Sequence, residues 1–249
     1  MYTYIYDNEL ADKKYFAPLT KIESRITELG LGGRVVRMNN LRNSRDALLE
    51  EIRRVPETLV VIGGDQLMSQ TISLIGGSGI PLGLIPLGTG NKLAASLGIN
   101  EENAVNVLSA RRLVQMDLGI VDDRTFLKKA ELFGSQLALE VDELFVLHAL
   151  SDLSINIYNY LAEDEANYLP KRPVPTSGDL TLAMFKEMPQ GFFKKEISRE
   201  VSSINFKHLA ITGEDVRAIL DDYVEVKSPR EVRILEKALD VIVGKERDF

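Results

Sequence analysis

The chain has 249 residues, with 30 Lys and Arg against 37 Asp and Glu and a formal net charge of −7. That acidic balance excludes an electrostatic nucleic-acid binder. A composition of 45% hydrophobic and 27% charged residues excludes wholesale disorder in a chain long enough for one large or two modest cores. Cysteine is absent, which removes disulfides, thiolate metal sites and cysteine nucleophiles, and two histidines cannot build a His-rich metal site.

In chain order, Tyr2 to Tyr6 is a β-prone aromatic run, followed by helical spacing from about Asp12 to Leu29 and a stop at Gly30 and Gly32-Gly33. Arg34 to Met38 reads as a strand and Asn43 to Arg54 as a helix. Thr58 to Ile62 is a strand apolar enough to be covered on both faces. A helix over Leu67 to Ile75, a strand over Leu82 to Ile85 and a helix over Asn91 to Leu97 complete another cycle. Repeated βα units imply a parallel sheet with helices outside it. After Arg111 strands predominate, with candidates at Leu113 to Leu118, Thr125 to Phe133, Gln136 to Val141 and Leu144 to Leu150. Beyond polar residues near Asp164 and the proline-rich Pro170 to Pro175, later candidates are Leu180 to Phe185, Phe206 to Ile211, Val216 to Leu220, Tyr223 to Val226 and Leu239 to Val243. The expectation is an α/β domain over residues 1–118 and an antiparallel β-rich domain over 119–249. No stretch approaches the roughly eighteen apolar residues of a spanning helix, and the first residues lack the order of a signal peptide. A cytoplasmic protein is expected, with a peripheral membrane role left open.

Two loops carry the chemistry. Gly63-Gly64-Asp65 follows the strand ending at Ile62, and Pro86-Leu87-Gly88-Thr89-Gly90-Asn91 follows the strand ending at Ile85. Both leave the carboxyl ends of parallel strands, where open sheets bind ligands and glycines let backbone N–H groups approach phosphate oxygens. Neither is a P-loop or a dinucleotide fingerprint, since Leu93 stands where the latter wants glycine or alanine.

The pair resembles the catalytic domain of the diacylglycerol kinase family, bacterial lipid kinases and sphingosine kinases included, whose hallmarks are Gly-Gly-Asp-Gly-Thr and Pro-Leu-Gly-Thr-Gly-Asn-Asp. Here the second motif reads Pro86 to Asn91 and then Lys92, followed by Leu93-Ala94 and Leu97-Gly98-Ile99. Met116-Asp117-Leu118-Gly119 and Ser177-Gly178-Asp179-Leu180 extend the resemblance along the chain. It implies an NAD kinase/diacylglycerol kinase-like α/β domain with a parallel sheet, a C-terminal antiparallel β-sandwich and a lipid held between the domains. The chain is shorter than typical relatives, which implies a trimmed lipid-facing domain. The resemblance further implies ATP and Mg²⁺ as cofactors, with nucleotide at Gly63, Gly64, Gln66, Gly88, Thr89, Gly90 and Asn91, and Asp65 organising metal or phosphate. No further metal ligand is assigned.

This sequence departs from the pattern at three places. Gln66 and Leu67 replace the family's Gly-Thr, so Gln66 either starts an ordinary helix or obstructs the triphosphate. Lys92 replaces Asp and is either a point charge on a phosphate or a solvated first-turn residue. Phosphorylation of an alcohol needs a carboxylate to take the hydroxyl proton, which the family carries in an Asp-Gly-Glu-like turn. The segment Val216 to Tyr223 resembles it with Asp222 at the glycine and Tyr223 at the acid. A shift of one or two residues offers Asp221, Asp222 or Glu225 instead, and the alternative is a hairpin with solvated carboxylates. His148 and His208 read as packed or surface residues. The basic pairs Arg111-Arg112, Lys128-Lys129, Lys171-Arg172 and Lys194-Lys195, the last beside Phe192-Phe193, are either lipid-headgroup contacts or solvated charge. Glu163-Asp164-Glu165 reads as exposed loop. Three functions compete: an ATP-dependent lipid kinase with Asp221 or Asp222 as proton acceptor, an inactive nucleotide- or lipid-binding relative, and an NAD kinase-like enzyme. A homodimer through an exposed sheet edge is open.

Overall fold

The computed structural model describes residues 1–38, 44–149, 153–162, 169–187, 199–247 and 249. The expected features at Glu163-Asp164-Glu165, Phe192-Phe193 and Lys194-Lys195 lie outside the described residues. The chain divides into two units: residues 1–116 with 237–249, and residues 117–236.

The first unit is built on parallel strands. Strand β1 (Tyr2–Tyr6) pairs on one side with β2 (Gly33–Arg37) and on the other with β3 (Thr58–Gly63), and β3 pairs with β4 (Leu82–Pro86). Every residue of β3 and β4 is buried, because helices cover a parallel sheet on its faces and leave no polar side to alternate. Helix α1 (Phe16–Glu28) buries Leu19, Ile22 and Ile26, one stripe of a 3.6-residue period. It begins four residues later than its apolar spacing predicts. Asp7 and Asp12 instead cap two short 3₁₀ turns, accepting from the amides of Glu9 and Lys14, and Pro18 then falls in the first α-helical turn, where its missing N–H costs nothing. Helices α2 (Ser44–Arg53), α3 (Asp65–Ile75) and α4 (Lys92–Ser96) stand where helices are predicted. Helix α5 (Ala104–Ala110) has no counterpart among the predicted elements, its two turns being too short to show a period.

The second unit is antiparallel. After β5 (Leu113–Val121), whose first residues lie in the first unit, come β6 (Arg124–Phe126), β7 (Lys129–Val141), β8 (Phe145–His148), β9 (Leu153–Tyr158), β10 (Leu180–Glu187), β11 (Arg199–Phe206), β12 (His208–Leu220), β13 (Val224–Lys227) and β14 (Glu231–Ile242). Within the unit the order is β11-β10-β9-β7-β12-β14, with β13 on β12 and β8 on β7. The two strands expected over 125–133 and 136–141 become β6 and one long strand, β7. Its register with β12 shifts around Glu214, where Gly134 and Gly213 take φ near +155° and Gln136 takes φ +51°. Leu132, Leu139, Ile155, Ile157, Leu182, Leu209 and Leu220 belong to its buried core.

The closing strand departs from the sequence expectation. Residues 237–249 belong to the first unit and not the second: Val241 pairs in parallel with Leu82 of β4, and the Gly244 amide donates to the Leu97 carbonyl at 2.9 Å. The apolar run Leu239 to Val243 reads alike for either sheet, so only the pairing decides.

Candidate functional site

Strands β3 and β4 run side by side with Gly63 opposite Pro86, so both glycine loops leave the same rim of the first unit. They touch. The Asp65 amide donates to the Gly90 carbonyl at 2.9 Å and the Leu87 amide to the Gly63 carbonyl at 3.2 Å. Gly64 carries no side chain because a Cβ there would collide with the Thr89 carbonyl. The sequence therefore brings its two motifs together as predicted. The glycine at 64 serves contact between the loops.

Asp65 is the clamp of this arrangement. It is buried, and its two oxygens accept from the Lys92 and Leu93 amides at 3.0 and 3.1 Å, capping α4 from the neighbouring loop. Asn91 occupies the N-cap position of α4, but its side chain makes no capping bond. Gln66 and Lys92 are exposed.

Two residues that sequence reasoning missed complete the rim. Strand β1 ends at Tyr6 in register with Ile62, so Asp7 and Glu9 leave the same edge as the glycine loops. Oε1 of Glu9 accepts from the Thr89 amide at 2.8 Å, and Oε2 accepts from the Thr89 hydroxyl at 3.0 Å. The Gly64 amide hydrogen-bonds the Asp7 carboxylate, and burial, opposed by that amide and those of Glu9 and Asn8, leaves the Asp7 pKa above its ordinary value. The signal was in the sequence: an acidic Asp7-Asn8-Glu9 immediately after a parallel strand.

The implied nucleotide can be tested against these contacts. Polyphosphate binding at the rim uses backbone donors. Of the residues assigned to it, Gly64 and Thr89 have amides that already serve carboxylates of the chain, and the neighbouring Lys92 and Leu93 amides serve Asp65. The carboxylates of Asp7, Glu9 and Asp65 also bring like charge to this rim. As arranged, the Gly64 and Thr89 donors, taken by the chain's own carboxylates, do not fit a polyphosphate. Among the described residues, no group of three or more His, Asp or Glu side chains is placed to hold a metal ion.

The second candidate cluster lies in the other unit, in the turn between β12 and β13. Asp221 and Asp222 take φ of +47° and +67°, and the Tyr223 amide donates to the Leu220 carbonyl at 3.0 Å. Asp221 is buried and accepts from three backbone amides, those of Leu127, Lys128 and Lys129, at 2.9, 2.7 and 3.0 Å. Burial raises its pKa despite those donors. Both of its carboxylate oxygens therefore serve the backbone. Asp222 is exposed and pairs with Lys129 Nζ at 2.8 Å, and Lys129 also reaches Glu131 at 2.6 Å. Burial works against the Lys129 charge, yet hydrogen bonds to these two carboxylates hold its pKa above the usual lysine value. Tyr223 is exposed.

The remaining candidates take structural or surface places. The Gly178 amide donates to Asp117 Oδ2 at 2.9 Å, joining two segments of the family resemblance within the second unit. Arg111 ends α5 in a left-handed conformation and donates to Thr58 Oγ1 at 2.7 Å. His148 is exposed, and His208 Nε2 lies 3.4 Å from a Glu231 oxygen.

Residues 7–121 match the family model described as diacylglycerol kinase catalytic domain. A protein named "Diacylglycerol kinase" from Mycobacterium tuberculosis is 30% identical over 105 residues, 41% of this chain and 33% of that protein. "Probable lipid kinase YegS" of Salmonella typhimurium is 30% identical over 138 residues, 52% of this chain and 46% of its own. The match thus spans less than half the length of either curated relative. A crystal structure of a diacylglycerol kinase from Bacillus anthracis superposes with a TM-score of 0.76 over 98% of this chain and 97% of its own at 15% identity, a likeness of fold.

Proposed function

We propose, from the match of residues 7–121 to the diacylglycerol kinase catalytic domain model, that the protein is a non-catalytic relative of the lipid kinases. On this reading it keeps the fold and holds an amphiphilic lipid without phosphorylating it. One observation carries the reading: of the two carboxylates in the turn at 221–223, one is bound by three backbone amides and the other is ion-paired. An alcohol becomes a nucleophile when a group near neutral pKa takes its proton. Asp221 spends its oxygens on three amides, Asp222 is paired with Lys129, and Tyr223 carries a phenol and not a carboxylate.

A ligand site is offered by a cavity of about 430 Å³ within the second unit, its lining mostly polar, with Glu131, Ser135, Gln136 and Asn156 beside apolar Leu132 and Ile155. That volume suits one small amphiphile. The relatives, a diacylglycerol kinase and a probable lipid kinase by name, supply the chemical class.

A second reading, ATP-dependent lipid phosphorylation, is favoured by the exposure of Asp222, the one acid of the turn open to solvent among Asp221 and itself. Both are tested by incubating the protein with labelled ATP, Mg²⁺ and vesicles containing diacylglycerol, then repeating with NAD as acceptor. The expected outcome is binding of a fluorescent diacylglycerol without transfer of label. Labelled lipid that disappears in Asp222→Asn would overturn the non-catalytic reading, and labelled NADP would redirect it.

A further inference from the structure

Glu9 holds the second glycine loop in the way a bound anion would. The Thr89 amide and hydroxyl grip its two carboxylate oxygens at 2.8 and 3.0 Å, two adjacent donors on one anion. The turn is shaped for that grip: Gly88 and Gly90 flank Thr89 at φ +135° and +76°. A Cβ on Gly88 would collide with the Glu9 carboxylate and come within 3.2 Å of the Gly64 amide nitrogen. The bare Cα at 88, the feature that lets a phosphate approach such a loop, is thus covered by a side chain of the same unit.

Glu9 is held there from behind. It lies in the 3₁₀ turn Asn8–Ala11, whose cap, Asp7, accepts from the Glu9 amide at 3.3 Å, and the next residue, Leu10, is buried. Asp7 in turn takes the Gly64 amide of the first glycine loop. One short acidic segment after β1 therefore satisfies donors from both motifs and adds negative charge beside them.

From these contacts we infer that Glu9 is a built-in surrogate for the nucleotide phosphate: it occupies the Gly88–Gly90 turn, keeps polyphosphate affinity low, and its removal opens the site. The inference goes beyond the proposed function, which rests on the turn at 221–223. The whole chain, Glu9→Ala and Glu9→Gln are titrated with ATP, ADP and tripolyphosphate, with and without Mg²⁺, by calorimetry and by thermal shift, since a ligand of the folded form raises the midpoint. Wild type should show no shift at millimolar ligand. Glu9→Ala, which removes both contact and charge, should bind at least about tenfold more tightly. Glu9→Gln, which keeps an accepting oxygen but no charge, should gain less. Wild-type affinity equal to that of Glu9→Ala overturns the inference, as does a folded Glu9→Ala with no gain. If Glu9→Ala does not fold, Glu9→Gln decides, and affinity no better than wild type overturns the inference. The two readings fail separately: lipid phosphorylation by wild type counts against the non-catalytic reading, whereas unchanged nucleotide affinity in folded Glu9 variants counts against the surrogate alone.

Discussion

Asp221 shows how the same residue can look catalytic in sequence and be structural in space. A carboxylate in a hairpin turn is ordinarily solvated, but Asp221 is turned inward to three consecutive amides more than ninety residues away in the chain. Replacing it by Asn leaves at least one of those buried donors without an acceptor and sets an NH₂ against the others. Asp221→Asn is therefore expected to destabilise the fold by about 2–3 kcal/mol in urea unfolding. Loss below about 0.5 kcal/mol would show that the amides find other partners. Asp7 gives a prediction with a definite sign. Its folded pKa is raised, chiefly by burial, so it binds its proton more tightly in the folded chain. The stability it contributes is full below its unfolded pKa of about 3.9 and is lost as pH rises through the folded value. Asp7→Asn abolishes that loss. The midpoint of the variant relative to wild type should thus be more favourable at pH 7 than at pH 4, measured by thermal unfolding across that range, and a reversed trend would contradict the burial argument.

Among the elements, the paired glycine loops were readable because both follow buried parallel strands, and β3 and β4 indeed bring them to one rim. Their interior was not readable. Whether Gly64 faces a phosphate or the Thr89 carbonyl depends on contact between loops that are separate in sequence. Gly64→Ala should push the loops apart and weaken the Asp65–Gly90 hydrogen bond, costing about 1–3 kcal/mol as overpacking does. A variant as stable as wild type would mean the loops have room to move. Strand β9 was missed although Leu153, Ile155 and Ile157 alternate with Ser154 and Asn156, a legible period of two. Strand β7 runs through Gly134-Ser135, the gap between the two expected strands. It remains one strand because β12 continues to pair with it across the irregularity.

For the molecule as a whole, the order of units follows from composition along the chain: βα cycles first, antiparallel strands after. No helix among the described residues is long and apolar enough to cross a membrane. The return of residues 237–249 to the first unit ties that unit's fold to the far end of the chain. Val241 is fully buried beside Leu82, so Val241→Asp should cost about 4 kcal/mol or more and should disturb the first unit foremost. Amide hydrogen exchange would check this: protection lost in β3 and β4 but kept in β9 and β10 is expected, and the opposite pattern would contradict the assignment of the closing strand. By itself the sequence determined the periods, and with them the parallel and antiparallel halves and the two glycine motifs, because periodicity and turn residues act over a few neighbouring positions. Only the tertiary structure decided which carboxylates are committed and which sheet receives the last strand. Those outcomes depend on which distant amide lies within hydrogen-bond reach, and no local pattern of residues encodes that distance.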